Sequence, residues 1–158
     1  MFEEIPLSRH NYFMQLALQE SNKCPSTVYY SVGAVLADMK SAKIITGYTG
    51  EMSYQDTAYH AEEVVLEKLK SEDFDLSNAI LYSTMEPCSE RKSGHTSCTE
   101  LIINAGIKNV VFGCLEPYDP KLDIHCHGVM QLRVAGISVK QLKGFEERCK
   151  RLIHRNFE

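Results

Sequence analysis

A histidine, a glutamate and two cysteines have residue types and spacing that could bind a metal ion and move a proton. His60 lies two positions before Glu62 at the start of a predicted helix, and Cys88 and Cys98 bound a loop that leads into another. Helix N-termini lower thiol pKa values and favour the thiolates that zinc requires, and we expect all three ligands to lie at such ends. One imidazole and two thiolates make a zinc site with its fourth position open to water.

Glu62 gives this predicted site a proton carrier. Hydrolysis at such a site needs both an activated water and a group that moves protons to the substrate and to its leaving group. Taken singly, His60 could be a capping residue, Glu62 a first-turn acid and the cysteines buried apolar residues. Taken together, the four residues favour catalysis over that reading. They also favour it over a structural zinc module that binds a partner, because a structural site needs no buried proton shuttle.

Length and composition indicate one globular domain over residues 1–158. Apolar residues make up 44% of the chain and charged residues 24%, and no apolar run approaches the length of a membrane span. The acidic N-terminus lacks the features of a secretory signal, and the six cysteines are irregularly spaced. We therefore expect a cytoplasmic protein with thiols or metal ligands instead of disulfides. A net charge of −4 favours a small-molecule substrate over nucleic acid.

The order of the predicted elements places these residues in an α/β fold. A helix with Ser8 as its predicted N-cap precedes two strands at 29–37 and 43–49, which form an antiparallel pair. A strand at 79–84, a helix at 98–106 and a strand at 108–116 form a crossover unit with parallel strands. A helix at 129–136, a strand at 137–142 and a helix at 145–157 complete the chain. We expect a three-layer α/β/α domain with a mixed five-stranded sheet.

The spacing of these residues resembles that of the zinc nucleobase deaminases, whose signature is H-x-E followed by P-C-x-x-C. His60-Ala61-Glu62 and Pro87-Cys88 match it, but nine residues separate Cys88 from Cys98 where the signature has two. That longer loop is similar to the one in the pyrimidine deaminases of riboflavin biosynthesis, especially the fungal form. The matching element C-S-x-R-x-S-G begins at Cys88. The likeness extends from about residue 30 to the end and implies a cytidine-deaminase fold.

The resemblance implies a role for each matching residue. His60, Cys88 and Cys98 would bind Zn²⁺, and Glu62 would shuttle protons as zinc-activated water displaces ammonia. The Ala61 N–H and the carbonyl near Thr84 would orient the ring. The implied substrate is a diaminopyrimidine phosphate carrying a ribosylamino or ribitylamino group. Its phosphate needs cationic or N–H donors, and the loop offers Arg91, Lys92, Ser93 and His95.

Other substrates and partners remain open at this point. The alternatives within the enzyme class are cytidine, deoxycytidylate or another nucleobase, including tRNA adenosine, which the acidic charge disfavours. Bacterial relatives often fuse this domain to a reductase, so a chain of 158 residues implies a separate reductase. Related deaminases commonly form homo-oligomers, although the sequence does not specify one here. The segment 125–127, His-Cys-His, fits a loop over the pocket better than a second metal site.

Overall fold

The protein is described by a computed structural model over residues 2–118, 120–121, 123 and 125–156. Within these ranges the helices are α1 (Leu7–Ser21), α2 (Ala61–Leu69), α3 (Cys98–Ala105), α4 (Gly128–Val134) and α5 (Glu146–Ile153), with 3-10 turns at Phe2–Glu4 and Leu76–Asn78. The strands are β1 (Gly33–Asp38), β2 (Ile44–Tyr48), β3 (Ser53–Tyr54), β4 (Thr57–Ala58), β5 (Ala79–Met85), β6 (Asn109–Cys114) and β7 (Ser138–Gln141).

Five of these strands form one mixed sheet in the order β2-β1-β5-β6-β7. β1 is antiparallel to both β2 and β5, whereas β6 is parallel to β5 and to β7. The parallel pairs are joined by crossovers through α3 and α4. The predicted mixed five-stranded sheet is therefore confirmed. The separate hairpin β3–β4 was not predicted, because two-residue strands carry too few residues to show an alternating pattern.

The glycines of the sheet place the helices on opposite faces. A Cβ on Gly33 would lie 1.9 Å from the Ala17 carbonyl oxygen of α1, whereas one on Gly47 would meet Val64 of α2. Gly47 pairs with Ala34, the neighbour of Gly33, and adjacent residues of a strand point to opposite faces. Helix α5 contacts α1, while α3 contacts α2 and α4. The three-layer α/β/α architecture follows, with two helices on one face and three on the other.

The central strands have few exposed side chains because helices cover both of their faces. All residues of β1, β5 and β6 are buried, as is typical of strands between two helical layers. Tyr82 of β5 is fully buried, and its hydroxyl lies 2.8 Å from His10 Nδ1 of α1. Cys24, Cys114 and Cys149 are buried as well, which agrees with structural roles. The core therefore extends along the strands that end at the candidate site.

Several predicted boundaries differ from those observed. Helix α1 is preceded by Pro6 as its N-cap, so Ser8 lies inside the helix and does not cap it. Strand β1 begins at Gly33, because residues 29–32 form an irregular segment that lines a cavity. Helix α5 ends at Ile153, and residue 157 of the predicted helix lies outside the described residues. Of the described helices, none has the length and apolar character that crossing a bilayer requires.

Candidate metal centre and active site

The three predicted ligands come together at one edge of the sheet. Strand β5 ends at Met85 and leads through Pro87 to Cys88, and β6 ends beside it, where the Glu86 N–H donates to the Cys114 carbonyl at 2.8 Å. His60 is the N-cap of α2, and Cys98 is the first residue of α3. Sites at the carboxyl ends of parallel strands are the general rule for open α/β sheets.

Only two of the three ligands lie at helix N-termini in the sequence. Cys88 belongs to a loop, so the expectation that all three would lie at such ends is wrong for this residue. Its sulfur nevertheless accepts the N–H of Cys98 at 3.3 Å, and its carbonyl accepts the N–H of Thr99 at 3.1 Å. The folded loop therefore brings the Cys88 sulfur to the N-terminus of α3, where unpaired N–H groups stabilise a thiolate.

The spacing of the donor atoms fits a tetrahedral zinc ion. His60 Nδ1 lies 3.5 Å from the Cys88 sulfur and 3.5 Å from the Cys98 sulfur. Tetrahedral zinc with ordinary Zn–N and Zn–S bonds places such atoms about 3.6 Å apart. Among the described residues, these three form the group of His, Cys, Asp and Glu side chains close enough to share a metal ion. Two thiols and one imidazole thus form a cradle of the right size.

The electrostatics of the cradle favour a cation. Hydrogen bonding between the two sulfurs lowers the pKa of the Cys88 thiol and raises that of the Cys98 thiol. Burial lowers the pKa of His60, but the hydrogen bond and the charge of Cys88 outweigh burial and raise this pKa overall. The cradle thus combines a thiol that ionises readily with an imidazole whose surroundings favour positive charge, and a metal ion can replace the protons that these donors would hold.

Glu62 is buried beside this cradle and held by a serine. Burial raises the pKa of its carboxyl group. Ser83 Oγ lies 3.1 Å from Glu62 Oε1 and 2.8 Å from the Met85 carbonyl oxygen. A hydroxyl has one proton to donate, so it can donate to a Glu62 carboxylate, or donate to Met85 while accepting from a protonated Glu62. Ser83 can therefore partner both protonation states of Glu62.

A buried ion pair ties the cysteine loop to the histidine helix. Arg91 Nη1 lies 2.9 Å from Glu63 Oε1, and the same oxygen accepts the His60 N–H at 3.2 Å. The Arg91 side chain is 4% exposed and also donates to the carbonyls of Ala58, at 3.3 Å, and Thr96, at 3.5 Å. The loop that carries both cysteines is thus fixed to the residue that carries the imidazole.

A second buried carboxylate joins the two loops behind the metal cradle. Glu86 accepts the N–H of Glu116 at 3.1 Å with one oxygen and the N–H of Val129 at 3.1 Å with the other. A Cβ on Gly128 would lie 2.1 Å from the Pro87 carbonyl oxygen, so α4 begins in direct contact with the turn before Cys88. Glu86 therefore ties the chain after β6 and the start of α4 to the turn before Cys88.

A cavity of about 400 Å³ opens above the cradle, within the range of small-molecule sites. Its floor contains His60, Glu62 and Cys88. The rest of its lining comes from the segment before β1, the β3–β4 hairpin, the cysteine loop, and the ends of β2, β5 and β6. These residues are Thr27, Val28, Tyr29, Tyr30, Val32, Thr49, Asp56, Thr57, Ala58, Met85, Glu90, Arg91, Lys92, Ser93 and Glu116.

The predicted substrate contacts have different positions relative to this cavity. Lys92 and Ser93 line it, whereas His95 lies outside the lining and its N–H donates to Ser93 Oγ at 3.3 Å. Arg91 reaches the lining while its guanidinium is bonded to Glu63 and two carbonyls. Thr84 is fully buried, and its carbonyl accepts the Cys114 thiol at 3.3 Å. Ala61 is buried at the first turn of α2.

Residues 125–127 do not join the metal cradle. His125 stacks on Tyr118 with ring centroids 4.2 Å apart, and the Cys126 thiol donates to the Pro87 carbonyl at 3.4 Å. The His127 N–H donates to Ser89 Oγ at 2.8 Å. The segment packs against the turn that carries Cys88, instead of over the cavity.

Most residues of the cavity lining were not predicted from the sequence, and Glu116, Tyr30 and Asp56 are the ones among them with titratable side chains of interest. Glu116 has a carboxylate oxygen that is buried without a hydrogen-bond partner, and burial raises its pKa to about 7. Burial and the charge of Glu116 raise the pKa of Tyr30 to about 12, which places the two side chains near each other. Asp56 lies at a positive φ of 63° in the β3–β4 turn. The available signal for Glu116 was a charged residue at the end of the predicted buried strand 108–116.

Comparison with known proteins agrees with this geometry. The family model described as the cytidine and deoxycytidylate deaminase zinc-binding region matches residues 7–114. A diaminohydroxyphosphoribosylamino-pyrimidine deaminase of Schizosaccharomyces pombe is 42% identical over 146 residues, which are 90% of this chain and 34% of that protein. This chain thus spans about a third of its length.

Two solved structures have the same fold. A diaminohydroxyphosphoribosylaminopyrimidine deaminase/5-amino-6-(5-phosphoribosylamino)uracil reductase of Thermotoga maritima matches with a TM-score of 0.77 and 30% identity, over 96% of this chain and 41% of that one. The Aspergillus oryzae Rib2 deaminase in complex with DARIPP matches with a TM-score of 0.77 and 25% identity, over 93% of this chain and 91% of that one.

Proposed function

The chain belongs to the cytidine and deoxycytidylate deaminase zinc-binding family, and we propose that it deaminates the diaminopyrimidine phosphate intermediate of riboflavin biosynthesis. The reaction would replace an exocyclic amine of the ring by an oxygen from water and release ammonia. The observation that carries the proposal is the buried Glu62 beside the His60, Cys88 and Cys98 cradle, at the floor of a cavity large enough for a pyrimidine nucleotide. A purely structural metal site would need neither the acid nor the cavity.

The residues of the floor divide the chemistry between them. His60, Cys88 and Cys98 would hold a zinc ion, which would supply a water activated near neutral pH. Glu62 would take one proton from that water and pass it to the ring. It would then take the proton of the hydroxyl left on the ring carbon and pass it to the amine, which leaves as ammonia. Ser83 keeps Glu62 in place in both protonation states, as the distances of 3.1 and 2.8 Å allow. The raised pKa of Glu62, caused by burial, suits a group that must hold a proton during the reaction.

The polar groups of the cavity walls suit an amine-rich ring with a phosphate. Glu116 and Asp56 offer carboxylate oxygens that can accept N–H groups of a diaminopyrimidine. Lys92 and Ser93 lie at the cavity with donors for a phosphate. Arg91 also lies at the cavity, but its guanidinium donates hydrogen bonds to Glu63 and to two backbone carbonyls, which favours a role in holding the loop.

The long loop between the two cysteines supports this substrate over cytidine or deoxycytidylate. It resembles the riboflavin deaminases, and the S. pombe relative carries the corresponding name. We propose a ribosylamino or ribitylamino pyrimidine phosphate as the substrate, together with a separate reductase, as the paired activities in the T. maritima name suggest. The reductase would act on the product of a ribosylamino substrate, or would supply a ribitylamino substrate, in which the sugar is already reduced. A deaminase of tRNA adenosine is disfavoured by the net charge of −4.

The same proposal includes the setting of the enzyme. The described elements pack as one α/β/α domain, and we propose that residues 1–158 act as a single domain. All six cysteines are unpaired, as is usual in the reducing cytoplasm, where we place the reaction. A homo-oligomer is part of the proposal because related deaminases commonly self-associate.

The decisive test is metal content combined with ammonia release over a substrate panel. The panel contains the ribosylamino and ribitylamino diaminopyrimidine phosphates, cytidine, deoxycytidylate and tRNA. We expect one zinc ion per chain and ammonia from a diaminopyrimidine phosphate. Turnover of cytidine or deoxycytidylate, with none of either riboflavin intermediate, would contradict the proposed substrate.

Glu62→Gln tests the proton carrier separately from the metal. We expect this variant to keep its zinc and to lose about 10³-fold in kcat, since positioned acid–base groups typically contribute 10²–10⁴-fold. Glu67→Gln, which alters an exposed acid on the same helix, is the matched control and should keep both its zinc and its kcat. Full activity of a zinc-loaded Glu62→Gln enzyme would refute the mechanism.

A further inference from the structure

One wall of the cavity is an irregular segment, residues 22–31, between α1 and β1. Thr27, Val28, Tyr29 and Tyr30 of this segment line the cavity. Within the segment and to the preceding helix, backbone hydrogen bonds form turns only, such as the Cys24 N–H to the Ser21 carbonyl at 3.3 Å and the Val28 N–H to the Pro25 carbonyl at 3.3 Å. Such turns fix local shape, but they do not fix the segment relative to the metal cradle.

Arg155, just after α5, supplies that connection with its guanidinium. Nη1 donates to the Asn22 carbonyl at 3.0 Å, Nη2 donates to the Cys24 carbonyl, and Nε donates to Ser31 Oγ at 3.1 Å. The three acceptors lie at both ends of the segment. One planar side chain therefore spans it, as the fork of donors in arginine allows.

Asn156 continues the connection at the middle of the segment. Its Nδ2 donates to the Val28 carbonyl at 3.0 Å, and lies 3.4 Å from the Pro25 carbonyl and 3.3 Å from Ser31 Oγ. The Ser31 N–H donates to the Ile153 carbonyl at 3.3 Å, and Ser31 is fully buried. The end of α5, Arg155 and Asn156 thus bind the segment along its whole length.

We propose that Arg155 and Asn156 are positioning residues for substrate binding. They hold the wall formed by Thr27–Tyr30 at a fixed distance from the metal cradle, although neither of them lines the cavity. This inference rests on the proposed function and adds the specific claim that the C-terminal residues set substrate affinity. The metal cradle and Glu62 are held by other contacts, so the chemical step should depend little on them.

The test compares Arg155→Gln and Asn156→Ala with the control Arg151→Gln, which alters an exposed arginine on α5, the helix just before them. For the two test variants we expect the KM for the diaminopyrimidine phosphate to rise about tenfold, because each loses several hydrogen bonds, including charge-assisted ones at Arg155. We expect kcat to change by less than about twofold and the zinc content to remain that of the unaltered protein. The KM of Arg155→Lys should lie between those of the unaltered protein and Arg155→Gln, because one ammonium group cannot reach three separated acceptors.

Hydrogen exchange provides a readout that needs no turnover. Peptides covering residues 22–31 should exchange about tenfold faster in Arg155→Gln, while peptides from β5 should keep their rates. Unchanged exchange and unchanged KM would overturn the proposal, as would a loss of kcat and zinc together, which would indicate a general effect on folding. If the unaltered protein released ammonia from no substrate, the proposed function would fail, and the exchange experiment would still decide whether these residues hold the wall.

Discussion

Replacing Arg91 separates two roles for the residue, namely phosphate contact and support of the metal centre. The sequence predicts that Arg91 binds the substrate phosphate, whereas in the structure its guanidinium is bonded to Glu63, Ala58 and Thr96. Arg91→Met keeps the aliphatic stem and removes every donor. We expect this variant to lose zinc affinity and stability, because the cysteine loop is no longer tied to the helix that follows His60.

The magnitude follows from the burial of the ion pair. The Arg91 and Glu63 side chains are 4% and 16% exposed, and breaking a buried pair on one side typically costs about 3–5 kcal/mol. Glu63 keeps the His60 N–H as a partner and some contact with water, which places the expected loss of unfolding free energy near the lower limit, about 3 kcal/mol. Zinc affinity should fall about 10–100-fold, the range typical of residues that orient metal ligands.

The assay is zinc competition against a chromophoric chelator, combined with denaturant unfolding of Arg91→Met, Glu63→Gln and the double variant. The effects of the two substitutions on stability should be non-additive by about 1–2 kcal/mol, because they remove the same interaction. Lys92→Met is the matched control, since the neighbouring Lys92 is exposed and lines the cavity. It should raise the KM for a phosphorylated substrate and leave zinc affinity unchanged.

Arg91→Met would refute this reasoning if it retained zinc with the affinity of the unaltered protein and raised only the KM for the phosphorylated substrate. Arg91 would then be a phosphate ligand, as the sequence predicts, and its bonds to Glu63 would be incidental to the metal centre.

Two further substitutions test the packing of the sheet and the charge of the cavity. Gly33→Ala should lower the unfolding free energy by about 3 kcal/mol in denaturant titrations, because its Cβ would lie 1.9 Å from the Ala17 carbonyl oxygen. The control Gly106→Ala places its Cβ in open space at a φ of +85° and should lower the unfolding free energy by only about 1 kcal/mol. If the two substitutions lowered the unfolding free energy equally, the close approach of α1 to Gly33 would be contradicted. The pKa of Glu116, raised by burial from 4.5 to about 7, gives stability that is present below pH 4.5 and lost as the pH rises through 7. Glu116→Gln should therefore be more stable than the unaltered protein at pH 8, by at most about 3 kcal/mol, and should lose this advantage at pH 5. Thermal unfolding at the two pH values measures the difference, with Glu4→Gln, at an exposed acid, as the control. A difference in stability that stayed constant from pH 5 to pH 8 would contradict the raised pKa of Glu116.

The predictions of secondary structure succeeded where periodicity and capping are local properties of the chain. The helix after His60, the strand at 79–84 and the helix ended by Gly106 follow from apolar spacing and from a residue that accepts a positive φ. The segment 29–32 was predicted as strand because its residues favour β-structure. In the fold, Ser31 of this segment bonds to Arg155, and the adjacent Val28 bonds to Asn156. A contact across more than 120 positions leaves no periodic signal in the sequence.

The sequence by itself determined the chemistry of this protein, because residue type and spacing define a donor set. One imidazole and two thiolates within the deaminase pattern identify the metal and the family, and the family model of the zinc-binding region agrees with both. The same pattern predicts that Glu62 is the proton carrier. The long loop between the cysteines also suggested the substrate.

Only the tertiary structure decided which polar groups remain available to a substrate. Arg91 looks like a free cation in the sequence, yet the fold places Glu63 within 2.9 Å of it. Glu116 looks like an ordinary surface acid, yet the fold buries one of its oxygens without a partner in the cavity. Both outcomes depend on distances between segments far apart in the chain, since the partner and the burial of a charge are set by packing and not by its neighbours in sequence.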